Sequence, residues 1–188
     1  MTKHESLGRS ELQLYLLVMR CQAGDERAFA RLMEVFGPRS LAYLRGIIGD
    51  DAEDVQQEVW LSVYRSAHTL SNPRAFRTWL FRTTRHRAID FLRSRRRERE
   101  LIDDSAERSD AVADEETDVA FDDLDVEALQ VAMSALPPAQ REVLQLRYLD
   151  DMSYGDIAAV VGCSVGTIRS RLHYAKQRVQ ELLTRGMS

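Results

Sequence analysis

Arginine is concentrated in one stretch of the sequence, and this concentration indicates what the stretch could bind. Residues 74–99 contain 10 arginines and only two acidic side chains, Asp90 and Glu98. Guanidinium groups neutralise phosphates, and aromatic side chains near them can hold unstacked bases. The stretch therefore favours a function in binding a nucleic-acid strand, rather than a merely solvated charge run.

The pattern within this stretch predicts a helix, over about residues 75–97, whose faces differ in character. Its apolar face is predicted to carry Phe76, Trp79, Leu80, Thr83 and Phe91. Its basic face is predicted to carry Arg82, Arg85, His86, Arg93 and Arg96, with Ile89 among them. We expect the aromatic residues to belong to the core, so that the arginines form the binding surface.

A second candidate nucleic-acid surface lies in residues 153–183. Gly162 is located where a tight turn between two helices needs a positive φ, and Ser164 can cap the following helix. That helix has a predicted buried stripe at Ile168, Leu172, Ala175 and Val179. Its opposite face is predicted to carry Gly166, Ser170, His173, Tyr174 and Gln177. The cations predicted to flank that face are Arg169 and Lys176 on one side, and Arg171 and Arg178 on the other.

Such a face suits the major groove of DNA, where small and polar groups reach base edges and cations on the rims contact phosphates. The alternative is an ordinary amphipathic helix with a solvated basic face. The glycine turn and the serine cap are in register with the cations, which favours a helix-turn-helix.

Acidic residues before the arginine-rich stretch suggest a third surface. Asp51, Asp54 and Glu58 share one face of a helix predicted over residues 51–68. No histidine joins them at the spacing of metal ligands, so we expect no metal site. A docking surface for a basic partner is the better functional interpretation.

The charge distribution divides the chain into two units and a linker. The net charge is −2 over residues 1–73, +8 over 74–99, −12 over 100–127 and +2 over 128–188. The acidic segment has few large apolar side chains, so a flexible linker is predicted at 100–127. We predict an all-α fold in which this linker joins two small helical domains, residues 10–99 and 128–184. The other helices are predicted at 10–23, 25–36, 39–48, 138–149, 153–161 and 164–184.

Several function classes are disfavoured by composition. The apolar run at residues 12–19 is too short to cross a bilayer, and the two cysteines, Cys21 and Cys163, form no disulfide framework. Four histidines and two cysteines offer no convincing acid–base pair or nucleophile. We therefore expect a cytoplasmic protein without catalytic residues, metal or cofactor.

Three segments, in this order, resemble the extracytoplasmic-function (ECF) sigma factors, which are initiation subunits of bacterial RNA polymerase. Residues 51–65, DAEDVQQEVWLSVYR, resemble the region 2 helix that grips the clamp of core polymerase. Residues 76–97, FRTWLFRTTRHRAIDFLRSRRR, are similar to the next helix, which melts and reads the minus-ten promoter element. Residues 136–176, which include the helix-turn-helix, resemble region 4, which reads the minus-thirty-five element.

The resemblance implies roles for individual residues. The contacts with core polymerase fall at Asp54, Gln57 and Glu58. The minus-ten residues are Leu70, Ser71 and Asn72, in a loop that captures a flipped base, and Arg82, Arg85 and His86 on the helix. The residues on the duplex-reading helix are Arg169, Ser170, Arg171, His173 and Lys176. The family commonly has Asn at the position of His86 and a basic residue at that of Tyr174, so the resemblance implies the class and not the promoter sequence.

The partners implied are core RNA polymerase and promoter DNA, both duplex and single-stranded, with an anti-sigma factor as a further candidate. One rival interpretation is a stand-alone regulator that binds operators as a dimer. Such a regulator would need neither the acidic face at 51–65 nor the basic helix. A nucleic-acid enzyme is the other rival, and the scarcity of catalytic side chains disfavours it.

Overall fold

All the regular secondary structure in the part of the chain that is described is helical. A computed structural model describes residues 3–100 and 131–186, with side chains at 11–97 and 131–184. The helices of the first range are α1 (Lys3–Gln22), α2 (Glu26–Ile48), α3 (Ala52–Ser66) and α4 (Phe76–Glu100). Those of the second are α5 (Pro138–Tyr148), α6 (Tyr154–Val161) and α7 (Val165–Gly186), preceded by helical residues 131–134. The predicted all-α class is confirmed.

The chain divides into two compact units, Met1–Phe91 and Leu92–Ser188. The predicted acidic linker, residues 100–127, lies outside the described residues apart from Glu100, the last residue of α4. The domain bounds 10–99 and 128–184 stay predictions. None of the helices in the described ranges is long and apolar enough to span a membrane.

The core of the first unit forms where apolar faces of α1, α2, α3 and α4 meet. Burying one large apolar side chain contributes about 1.5–3 kcal/mol, so this cluster supplies most of the driving force for the unit. Phe36 of α2 and Phe76 of α4 pack edge to face, with their ring centroids 5.6 Å apart. The large side chains buried in the cluster are Val18, Leu32, Phe36, Leu44, Ile48, Val55, Val59, Trp60, Val63, Phe76 and Leu80.

Helix α2 is longer than the sequence predicts, because it continues through Pro38. The expected break between helices at 25–36 and 39–48 is wrong. Proline removes one backbone donor and strains the preceding turn. Two side chains bond to the backbone next to the proline: Gln56 of α3 donates to the carbonyl of Gly37 at 2.7 Å, and the Ser40 hydroxyl donates to the same oxygen at 3.0 Å. The helix therefore continues through Pro38 with α3 bonded to the adjacent carbonyl.

The buried face of α4 also differs from the prediction. Phe76 and Leu80 are buried as expected, but Trp79, Thr83 and Phe91 are only half-buried. The buried stripe of α4 recurs every four residues from Phe76 onwards, so a different set of side chains faces the core. The fully buried residues of α4 are Phe76, Leu80, Phe81, Thr84 and Ala88.

Thr84 is accommodated in this apolar stripe because its hydroxyl donates to the carbonyl of Leu80 at 2.9 Å. The ring of Phe81 packs edge to face on Tyr43 of α2, at 5.4 Å between centroids. The aromatic residues Phe76 and Phe81 are therefore core residues, as the sequence favours for the aromatics of this helix.

The second unit packs α5, α6 and α7 around its own core. Arg147 of α5 connects two of these helices, since its guanidinium donates to the Met152 carbonyl at 3.1 Å and lies 5.6 Å from the Tyr154 ring centroid. The large apolar side chains buried here are Leu136, Val143, Leu144, Leu146, Met152, Ile157, Val160, Val161, Ile168, Leu172 and Val179.

The start of α2 generates a pH prediction. One carboxylate oxygen of Asp25 accepts hydrogen bonds from the backbone N–H groups of Arg27 and Ala28, at 2.9 and 3.1 Å, and the other accepts from the Arg20 guanidinium. The Arg20 hydrogen bond, followed by the Ala28 N–H, lowers the pKa of Asp25. A carboxyl whose pKa is lowered by folding stabilises the protein above its ordinary pKa, and this contribution is lost as the pH falls towards the lowered value.

We expect Asp25→Asn to lower the free energy of unfolding at neutral pH, and the gap to wild type to close in acid. Urea unfolding of both proteins from neutral pH downwards measures this gap. Glu26→Gln, in the same helical turn, is the control and should show a smaller gap. A gap for Asp25→Asn that stays constant with pH would contradict the role of the charge.

Candidate nucleic-acid and partner-binding surfaces

The acidic surface of α3 is well defined. Ala52, Val55, Val59 and Val63 face the core, so the opposite side of the helix is turned outwards. Asp54, Gln57 and Glu58 are all exposed there, at the spacing of one helical face. Asp51 is half-buried in the 3₁₀ turn Gly49–Asp51.

This surface continues into an apolar part that the sequence did not reveal. Leu61 and Tyr64, one and two turns beyond Gln57, are 55% and 59% exposed. The Tyr64 ring packs against Phe29 of α2 at 5.1 Å between centroids, which fixes its position. The available signal was the spacing of 54, 57, 58, 61 and 64, but apolar residues in a helix are ordinarily assigned to the core. Exposed apolar side chains beside an acidic group are typical of a protein-docking surface.

No group of three or more His, Cys, Asp or Glu side chains comes together at ligand distance among the residues that are described. The thiol of Cys21 is half-buried, and burial, with a smaller effect of Asp25, raises its pKa. A raised pKa leaves less thiolate, so this side chain is a poor nucleophile.

The arginine-rich helix α4 exposes its cations as a consequence of its buried stripe. Arg82 and His86 are exposed and Arg85 is half-buried, one turn apart along the same side. Arg93, Arg95, Arg96 and Arg97 extend the exposed positive surface towards the end of the helix. The surface therefore offers closely spaced cationic groups of the kind that bind phosphates.

The loop at residues 70–72 lies between the 3₁₀ turns Ala67–Thr69 and Pro73–Ala75. Leu70 packs against the core of the first unit, while Ser71 and Asn72 are exposed. The side-chain oxygen of Asn72 accepts a hydrogen bond from the backbone N–H of Arg74 at 3.1 Å. Of the three residues predicted in this loop, Leu70 anchors it and the two polar residues are accessible.

The helix-turn-helix has the predicted local geometry. Gly162 adopts a left-handed conformation, φ 78°, between α6 and α7. The Ser164 hydroxyl accepts from the backbone N–H of Thr167 at 3.1 Å, which caps α7. The buried stripe of α7 is confirmed at every predicted position: Ile168, Leu172, Ala175 and Val179.

On the outer side of α7, Arg169 is exposed, and Ser170, Arg171 and His173 are half-buried. The hydroxyl of Ser170 donates to the carbonyl of Gly166 at 3.0 Å. The rings of His173 and Tyr174 contact each other edge to face, 5.3 Å apart. These side chains lie outside the buried stripe of α7.

Lys176 is the exception, and its predicted location on an exposed flank is wrong. The residue is only 4% exposed, and its ammonium lies 5.6 Å from the centroid of the Tyr148 ring of α5. The reason is its spacing, because it follows Leu172 by four residues and therefore lies at the edge of the buried stripe. A cation buried over an aromatic face stabilises packing between helices.

Comparisons with known proteins identify the family of the chain. Residues 32–98 match the family model Sigma-70 region 2, and residues 126–179 match Sigma-70, region 4. The RNA polymerase sigma-H factor of Pseudomonas aeruginosa is 33% identical over 180 residues, covering 89% of this chain and 92% of that protein. The ECF RNA polymerase sigma factor RpoE of Cereibacter sphaeroides is 32% identical, covering 84% and 87%. The chain belongs to the ECF sigma factors.

As an ECF sigma factor, the protein directs transcription initiation, and its partners are core RNA polymerase and promoter DNA. The fold of the family is also matched. The sigma factor RpoE from Bartonella quintana, solved in complex with the anti-sigma factor NepR, superimposes with a TM-score of 0.62 at 29% identity. That alignment covers 83% of this chain and 96% of the solved one.

The buried location of Lys176 generates a prediction about stability. Lys176→Ala removes the contact with the Tyr148 ring, so we expect the free energy of unfolding to fall by about 1–2 kcal/mol. Urea unfolding of the full chain measures this loss. Arg178→Ala, an exposed position two residues later, is the control and should change stability little.

Lys176→Ala also distinguishes the packing role of this side chain from a role in phosphate binding. We expect Lys176→Ala to keep the wild-type dependence of DNA affinity on salt, since a buried ammonium releases no counterion. Unchanged stability together with a salt slope reduced by about one phosphate contact would contradict the packing role.

Proposed function

We propose that this ECF sigma factor reads the minus-thirty-five element as duplex DNA and the minus-ten element as an opened single strand. The observation that carries the proposal is the separation of three surfaces on one chain. An acidic and apolar face on α3, an arginine surface on α4 and a capped helix-turn-helix suit three different partners. We propose no catalytic chemistry and no cofactor for the protein itself.

The α3 face is the proposed contact with core polymerase. Asp54, Gln57 and Glu58 supply charge and hydrogen-bond acceptors, and Leu61 and Tyr64 supply apolar area beside them. Acidic groups steer a basic partner and fix the register, while buried apolar area provides affinity. The two kinds of group are adjacent, as a stable docking site requires.

Helix α7 is the proposed reader of the minus-thirty-five element. Ser170 and His173 are the candidates for base edges, and Arg169 and Arg171 are the candidates for phosphates. Lys176 is not included, because a side chain that is 96% enclosed cannot reach the groove without unpacking α5 from α7. The remaining four residues lie on the accessible side of the helix.

Helix α4 and the loop before it are the proposed readers of the minus-ten element. Arg82, Arg85 and His86 are close enough together to follow one strand of DNA along the helix. Ser71 and Asn72 are exposed polar groups on a short loop, suited to hydrogen bonds with a base that has left the stack. Leu70 supports that loop from the core side.

An anti-sigma factor is a further proposed partner, and the cytoplasm is the proposed location because the template and polymerase are there in bacteria. The support for the anti-sigma factor is the RpoE structure of Bartonella quintana, which was solved with NepR bound. A stand-alone dimeric regulator is the rival function, and it leaves the α3 face and the α4 cations without a purpose.

The acidic residues of the α3 face are expected to be required for binding core polymerase. Charge reversal in the double variant Asp54→Lys/Glu58→Lys should weaken binding to core polymerase by about tenfold or more, because favourable steering becomes repulsion. Fluorescence titration of labelled full-length protein with core polymerase measures the affinity. The control is Glu26→Lys/Glu34→Lys on α2, which changes the net charge equally. Core affinity equal to wild type in the Asp54/Glu58 variant would remove this surface from the interface.

The cations of α4 are expected to act in opening the promoter. Alanine at Arg82, Arg85 and His86 should reduce the permanganate reactivity of thymines in the minus-ten element, because these side chains hold the separated strand. A template with a pre-melted bubble should restore transcription. The control is Arg27→Ala/Arg39→Ala, which removes exposed cations from α2 and should leave opening intact. If the bubble fails to rescue the triple variant, the defect lies in another step.

A further inference from the structure

One side chain of α1 holds the backbone on which the loop at 70–72 is built. Gln22 is the last residue of α1, and its side-chain NH₂ group donates two hydrogen bonds. One goes to the carbonyl of Ala67 at 3.0 Å and the other to the carbonyl of Leu70 at 2.7 Å. These two carbonyls bracket the 3₁₀ turn Ala67–Thr69, so a single amide fixes the entry to the loop.

The exit from the loop is fixed by the same helix. The guanidinium of Arg74 lies 5.6 Å from the centroid of the Tyr15 ring of α1. Arg74 also donates its backbone N–H to the side-chain oxygen of Asn72, and α1 packs against both flanking 3₁₀ turns. The exposed residues Ser71 and Asn72 therefore lie between two backbone segments, the entry and the exit of the loop, each of which is held by contacts with α1.

Loss of the Gln22 amide has a definite structural consequence. The Gln22 hydrogen bonds are partly buried. Without the amide, the Ala67 carbonyl still accepts from the Leu70 backbone N–H at 3.2 Å, but the Leu70 carbonyl loses the Gln22 donor and must find water or another donor. The loop would then sample several conformations, and its exposed polar groups would lose their fixed directions. Discrimination between bases depends on such directions, because a wrong base is rejected only by a rigid set of donors and acceptors.

We propose that Gln22 is a positioning residue for base discrimination by the loop at 70–72. It rests on the proposed function of that loop in reading the minus-ten element. Gln22 contacts no base; it acts by holding the carbonyls of Ala67 and Leu70, so that Ser71 and Asn72 present their polar groups in one geometry.

The test uses holoenzyme assembled from core polymerase and full-length variants, on a promoter pool randomised in the minus-ten element. Ser71→Ala and Asn72→Ser first identify which promoter position the loop reads. Gln22→Met, which keeps the length but lacks donors, should lower the preference at that same position by about fivefold. Preferences at other positions and affinity for core polymerase should stay within about twofold of wild type.

Further variants distinguish positioning from general stability. Gln22→Glu also lacks donors and should behave like Gln22→Met, which covers the case in which the methionine variant folds poorly. Gln22→Lys retains N–H donors and should restore most of the preference. Gln13→Met, an exposed glutamine on the same helix, is the matched control and should match wild type.

The outcomes are distinct. If the loop variants change the preference at one position and the donor-free Gln22 variants do not, positioning by Gln22 is overturned and the function of the loop stands. Equal losses at every promoter position, accompanied by a lowered thermal midpoint, would also overturn it, since they indicate a purely structural role. If the loop variants themselves change nothing, the minus-ten function of the loop is overturned.

Discussion

The burial of one narrow face of α4 determines how the first unit is organised. Phe76, Leu80, Phe81, Thr84 and Ala88 enter the core completely, which fixes the rotation of the helix about its axis. With that rotation fixed, the remaining faces carry cations, and Arg82 and His86 lie at the surface. A one-residue rotation would bury guanidinium groups at a cost of several kcal/mol each, so the arrangement has no close competitor. The same packing that stabilises the unit also displays its candidate DNA surface.

The helix-turn-helix follows the same logic on a smaller scale. The stripe from Ile168 to Val179 fixes α7 against α5 and α6, and the capped turn at Gly162 sets the angle between the last two helices. The accessible side of α7 is what remains after this packing. Lys176 marks the boundary between the buried and the accessible side of α7. It lies at the edge of the stripe and is enclosed although it is charged. Charge alone does not assign a helical residue to the surface when its stem and head find an aromatic partner.

The sequence predicted those features that depend on local chemistry and helical period. The stripe of α7, the left-handed Gly162, the Ser164 cap and the exposed pair Asp54 and Glu58 all follow from residue type and spacing within one element, whereas Asp51, predicted on the same face, is half-buried in a 3₁₀ turn. What the sequence did not reveal depends on partners distant along the chain. The Gly37 carbonyl beside Pro38 accepts from Gln56, 19 residues away, and the loop at 70–72 is held by Gln22, 45 and 48 residues away from the carbonyls it bonds. Polar side chains that bond to another element do not recur with the helical period. The sequence pattern therefore does not identify them.

The central claim is that this protein enables core RNA polymerase to recognise two separate promoter elements. Run-off transcription with purified core polymerase, on a pool randomised over the whole upstream region, tests it most directly. The account predicts transcripts only when this protein is added, from templates that share two short elements at a fixed spacing, with the upstream one bound as duplex. Tight binding of a dimer to a palindromic site without core polymerase, and no transcript that depends on the protein, would contradict it.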